Sequence, residues 1–169
     1  MSNTLYTSLP PTPSHFSAGA ILARFIDAIG FRFQTATNGL TESEIYFCPV
    51  DGSMDMMELV EHIYGVFSWA HGTLNPNAVR RKDLETFDDY RNAILEECDT
   101  FKKRLLEMSD EEIENTPIYL KRTDTTYSVF YLINGPISDV LTHVGQIASW
   151  RRIAGNPIER ISPFTGKTY

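Results

Sequence analysis

The chain has 169 residues, of which 15 are Lys or Arg and 22 are Asp or Glu, for a formal net charge of −7. That balance excludes the dense cationic surface from which nucleic-acid affinity chiefly comes. A hydrophobic content of 42%, with 12% aromatics, supplies the apolar area that disordered chains lack, and the length suits one domain.

The opening MSNTLYTSLPPTPS has no basic segment followed by an apolar run. Nowhere does an apolar stretch approach the ~20 residues that span a bilayer. The expected location is the cytoplasm, with no membrane partner. Residues 1–13, rich in Ser, Thr and Pro, read as an arm. A helical pattern starts near Ser14 and carries Phe16, Ile21, Leu22, Phe25, Ile26 and Ile29 as its apolar stripe, ending at Asn38-Gly39. A second begins at Ser53, read as its N-cap, and runs to about Gly72. The third extends from Thr86 to about Met108, and Ser109 to Glu112 forms a capping box that predicts a short extra turn.

The last pattern spans Asp124 to Ala154 and is closed by Gly155 and Pro157. Gly135-Pro136 inside it predicts a kink, because proline removes a backbone donor and clashes one turn back. Four long amphipathic helices over residues 14–156, followed by a tail at 157–169, predict an all-α four-helix bundle. The link from Leu74 to Asp83 exceeds the ~2–8 residues usual between antiparallel neighbours, which predicts a crossover. Cys48 and Cys98 are too far apart for a CxxC motif and read as packing thiols.

In the last helix Asp139, His143, Gln146 and Trp150 follow at four, three and four residues, placing them on one stripe beside the apolar Val140, Val144 and Ile147. An acid, an imidazole and an amide at the margin of a buried face need one another, a water or a metal as partner. Asp and His one turn apart can chelate an ion, but a third ligand must come from another helix. His15 reads as a surface or capping residue. In the second helix His62 borders the arc of Met56, Leu59, Val60, Ile63, Val66 and Phe67, with Trp69 further along its line, while His71 projects nearer the arc. Periodicity does not choose between His62 and His71.

The stretch HVGQIASWRRIAGNP, with His143 three residues before Gln146 and Arg152 six after it, resembles the second metal-ligand helix of the DinB-like superfamily. MELVEHIYGVF resembles that family's second helix, where one histidine ligand projects into the bundle, and this resemblance chooses His62. Family members usually carry HxxxH on the last helix, whereas here the position four before His143 is Asp139. Two readings of the departure stand: Asp139 replaces the histidine in a two-His, one-carboxylate site, or the site has decayed and Asp139 bonds a histidine. Gln146 is either an orienting partner of a ligand or a packing amide, and Arg151 and Arg152 complement the helix dipole in either case.

The resemblance implies a divalent-metal-dependent enzyme, with zinc, nickel, iron or manganese held by His62, Asp139 and His143. It also implies a thiol-dependent transferase that takes a low-molecular-weight thiol and a small-molecule substrate. Gln146, Trp150 and Arg152 are the further cavity candidates. The alternative is a non-catalytic dimeric helical bundle with a degenerate site. A homodimer is expected in either case, because the aromatic helix faces exceed what one bundle covers. A nucleic-acid damage response, suggested by the family's name, is opposed by the charge.

Overall fold

The computed structural model describes residues 4–162 and 164–168. The first three residues of the expected arm, and Pro163 and Tyr169 of the expected tail, lie outside the described residues. The chain is mostly helical, and α1, α3 and α4 each begin where a side chain accepts from the free backbone N–H groups. Ser17 caps α1 (Ala18–Thr37) by accepting from Ala20 N at 3.0 Å. The short α2 (Glu42–Ile45) follows Thr41, whose capping box is closed by Glu44. Asp55 caps α3 (Met56–Leu74), accepting from Glu58 N at 2.8 Å. Thr86 caps α4 (Phe87–Glu107), and Ser109 caps the extra turn α5 (Asp110–Glu114).

Two starts differ from the sequence expectation by a few residues: α1 is capped by Ser17 and begins at Ala18 rather than near Ser14, and α3 takes Asp55 rather than Ser53. The last helix differs more. In place of its expected first turns stands a hairpin of β1 (Ile118–Leu120) and β2 (Thr125–Tyr127), antiparallel with Ile118 opposite Tyr127. Asp124 turns the hairpin at φ 48°, a left-handed conformation that Asp tolerates better than most residues. Helix resumes as α6 (Phe130–Leu132), passes through a π-type turn at Ile133–Ile137, and continues as α7 (Ser138–Ile153). The expected break is present at Gly135, which leaves helical geometry (φ −91°, ψ −111°) ahead of Pro136.

The four long helices pack side by side, α1 on α4 and α7, and α3 on the same two. Gly19 at the start of α1 meets the backbone of Leu105 near the end of α4, so these two run antiparallel. By contrast Tyr64 packs on Tyr90, and Phe67 and His71 pack on Phe101, in step along α3 and α4. Parallel helices demand a connection that returns the length of a helix. The 75–86 link does return, and Arg81 both donates to Tyr64 Oη at 2.8 Å and accepts from it at 3.3 Å. Arg151 ties the ends of the parallel pair α1 and α7. Its Nη1 donates to Ala36 O (3.2 Å) and Asn38 O (2.7 Å), and its Nε to Asn156 O (2.7 Å). It thereby caps carbonyls that α1 cannot satisfy itself.

Phe33, Phe67 and Phe101 fill the centre of the core with Ile26, Leu59, Ile63 and Ile94. Of the α1 stripe read from sequence, Leu22, Ile26 and Ile29 are buried, but Phe16, Ile21 and Phe25 are 88%, 40% and 43% exposed. Cys98 is buried, and burial raises its thiol pKa, whereas Cys48 is exposed, against the expectation of a packing thiol. Several buried polar groups are paired across helices: Arg91 donates to Thr37 Oγ1 (3.0 Å) and to Gln34 Oε1, and Lys102 Nζ lies 3.2 Å from Asp27. No described helix is long and apolar enough to cross a membrane.

A Cβ on Gly19 would stand 2.1 Å from Leu105 O, while one on Gly72 would meet nothing within 4 Å. Intrinsic propensity favours Ala over Gly by about 1 kcal/mol at both. Gly72→Ala should therefore stabilise by up to that amount, whereas overpacking at Gly19→Ala should destabilise by about 2 kcal/mol. Urea denaturation of the two variants checks the opposite signs.

Candidate metal centre

The break at Gly135-Pro136 fixes where α7 begins, and so places Asp139 in its first turn, where the positive end of the helix dipole favours a carboxylate. His143 follows one turn later on the same face. Across from them, the apolar arc of α3 turns Leu59, Ile63 and Phe67 into the core and leaves His62 at its border. The two helices meet along these borders.

His62 Nε2 lies 3.1 Å from Asp139 Oδ2, and His143 Nε2 lies 3.5 Å from Asp139 Oδ1. The imidazole rings stand edge to face, 4.7 Å apart at 80°. One ligand atom from each of the three residues lies within 4.8 Å of the others. Ligands about 2.1 Å from a tetrahedral ion are ~3.4 Å apart, and the two imidazole–carboxylate separations are of that size, each to a different oxygen of Asp139. His143 is 9% exposed, whereas the side chains of His62 and Asp139 are 42% and 46% exposed. One wall of the cluster thus faces solvent.

Gln146 fixes which nitrogen of His143 faces the carboxylate. Its Oε1 lies 2.6 Å from His143 Nδ1. An amide oxygen only accepts, so in this arrangement Nδ1 carries a proton and Nε2 is the nitrogen turned toward Asp139. A lone pair facing a carboxylate oxygen is unfavourable without a proton or a cation between them. A hydrogen bond holding the distal nitrogen is also how metal-bound histidines are usually oriented. Of the two roles left open for Gln146, the orienting one matches its position.

Beside the cluster opens a cavity of about 640 Å³ whose wall includes Val66, Trp69, Leu120, Asn134, Asp139 and Thr142. Trp69 is visible in the sequence as the residue two turns beyond His62. Leu120 and Asn134 were not singled out, because the hairpin and the π-type turn bring them there.

The remaining candidates lie elsewhere. His71 is 3% exposed and fully engaged: Asn75 Nδ2 donates to its Nε2 (3.0 Å), its Nδ1 faces Glu97 Oε1 (2.7 Å), and its ring stacks on Phe101. It is a structural histidine between α3 and α4. His15 is exposed ahead of α1. Trp150 is half-buried against the core, with no hydrogen-bond partner for Nε1 among the described residues. Arg151 is occupied by the end of α1, and Arg152, nine residues and half a revolution from His143, lines a groove on the other side of α7.

No protein-family model matches the chain, and no curated protein and no solved structure matches it. The functional reading therefore stands on the cluster itself and on the motif resemblance.

His71→Ala should cost about 2–4 kcal/mol of stability, since it opens a core cavity and strands the Glu97 carboxylate and the Asn75 amide. His62→Ala, at an exposed position, should cost less than about 1 kcal/mol. Thermal and urea unfolding of the two variants measures the contrast.

Proposed function

We propose that this protein is a divalent-metal-dependent enzyme of the DinB-like four-helix-bundle type, with His62, Asp139 and His143 as the metal ligands. The observation that carries the reading is the convergence of one ligand atom each from His62, Asp139 and His143 within 4.8 Å of one another, with Gln146 holding the distal nitrogen of His143. Two nitrogens and one oxygen suit zinc, nickel, iron and manganese. Three protein ligands with a solvent-facing side leave a coordination position for an exogenous ligand, the mark of a catalytic rather than a structural site. A bound divalent ion would supply a Lewis acid that keeps a low-molecular-weight thiol deprotonated near neutral pH, which is the chemistry of a thiol-dependent transferase. On this reading the cavity beside Trp69 and Asn134 receives the small-molecule substrate. The expected homodimer belongs to the same proposal, with exposed Tyr119, Phe130 and Tyr131 leaving apolar surface for a second copy to cover.

A second reading has an observation of its own. The 3.1 Å contact of His62 Nε2 with Asp139 Oδ2 is a complete hydrogen bond without any metal, as a non-catalytic bundle with a degenerate site would have. The two readings part on metal content. Protein purified without metal-affinity resin and titrated with zinc against a chromogenic chelator should bind one equivalent, and His62→Ala or His143→Ala should abolish that binding while the circular dichroism stays helical. Stoichiometric zinc in both variants, or none in the parent protein, would establish the degenerate reading.

Asp139 has its own test. A carboxylate places one negative charge on the ion that an imidazole would not, making the ion a weaker Lewis acid and favouring harder metals such as manganese. Asp139→His should tighten zinc binding and Asp139→Ala should weaken it, each by about tenfold or more, as loss or gain of a good ligand implies. The same chelator competition reads both. Unchanged affinity in both variants would remove Asp139 from the ligand set.

A further inference from the structure

On the side of α7 away from the histidine cluster lies a groove of about 1050 Å³ between α1 and α7, bordered by the N-terminal arm and the C-terminal tail. Its size is at the upper end for small-molecule sites. Small and aliphatic side chains line it, Ala28, Ala36, Val144 and Ala148 among them. Nothing lies within 4 Å of where a Cβ on Gly145 would stand, so the groove is open down to the backbone of α7. Phe16, Ile21 and Phe25, the apolar residues of α1 that the core leaves exposed, belong to its wall.

The charge of this groove runs against that of the chain. Four arginines, Arg24, Arg32, Arg152 and Arg160, line it against the single carboxylate of Glu159, in a chain of net charge −7. Arg24 is engaged, donating to Pro10 O at 2.8 Å. The guanidinium groups of Arg32, Arg152 and Arg160 make no hydrogen bond or ion pair among the described residues. Arg151 ties the C-terminal ends of α1 and α7 and so gathers Arg32 and Arg152 at one end of the channel. The helix carbonyls at that end are already taken up by Arg151, which leaves the other guanidinium groups available to an outside acceptor.

We propose that this groove binds an amphiphilic carboxylate. Its hydrocarbon chain lies along Ala28, Val144 and Ala148, and its head group accepts from Arg32, Arg152 and Arg160, whose planar forks match a carboxylate. A second copy of this chain fits less well. A two-fold contact sets the patch against itself, bringing arginine toward arginine with only Glu159 to answer.

Calorimetric titration of the 169-residue chain with dodecanoate below its micelle concentration should show one site per chain. Dodecanol and dodecyltrimethylammonium, which share the hydrocarbon chain without the negative head, should bind about tenfold more weakly or worse, as loss of a charge-assisted contact implies. The double variant Arg32→Glu/Arg152→Glu should weaken dodecanoate by a similar or larger factor. Gly145→Leu fills the channel at a helical position where Leu is the better helix former, so it should keep the fold and abolish binding. Absence of dodecanoate binding, equal binding of the three amphiphiles, or unchanged affinity in the double variant would overturn the proposal. So would light scattering in which Gly145→Leu alone converts a dimer to a monomer, which would make the groove a seam between copies.

Discussion

Asp139 offers one carboxylate oxygen to each of two imidazoles, Oδ2 to His62 on α3 and Oδ1 to His143 on its own helix. A single proton can satisfy the contact with His62. The contact with His143 takes a second proton on that ring or a cation, because Gln146 accepts from Nδ1 and leaves Nε2 facing the carboxylate. On the metal reading a divalent ion would take that place, with all three groups as its ligands.

The topology of the fold brings the three residues together. Because α3 and α4 run parallel, the crossover link carries the chain back, and α3 is free to meet α7 along the edge that carries His62. Because the chain breaks at Gly135-Pro136, Asp139 falls in the first turn of α7, one turn before His143 on the same face. His71, one helix pair away, shows the contrast: Asn75 and Glu97 satisfy both its nitrogens, so it holds two helices together and offers nothing to a ligand. On the far face of α7, Arg151 spends its donors on the end of α1, and that parallel docking opens the arginine-lined groove. One helix thus separates an acidic, histidine-bearing face from a cationic, apolar one.

Much of this is legible from spacing. The Thr86 and Ser109 caps, the break at Gly135-Pro136, the core positions Val140, Val144 and Ile147, and the crossover after Leu74 all follow from local rules that the structure obeys. Asp139, His143 and Gln146 could be read as one row because they share one helix. Whether His62 or His71 faces that row could not be read from periodicity, since the packing angle of α3 against α7 decides it. The hairpin at 118–127 leaves no signal in the spacing because its strands are three residues each and its turn rests on a single left-handed Asp. The exposure of Phe16, Ile21 and Phe25 was equally hidden: helical spacing marks an apolar stripe but not which part of it the neighbouring helices leave uncovered.

X-ray absorption at the zinc edge tests the central claim most directly, on protein purified without metal-affinity resin and given one equivalent of zinc. The account predicts a first shell of two imidazole nitrogens and one carboxylate oxygen with a further light ligand. On adding a low-molecular-weight thiol, that light ligand should give way to a sulfur at about 2.3 Å. A shell of water oxygens without imidazole scattering, unchanged by thiol, would contradict it and leave Asp139 as the hydrogen-bond partner of His62 alone.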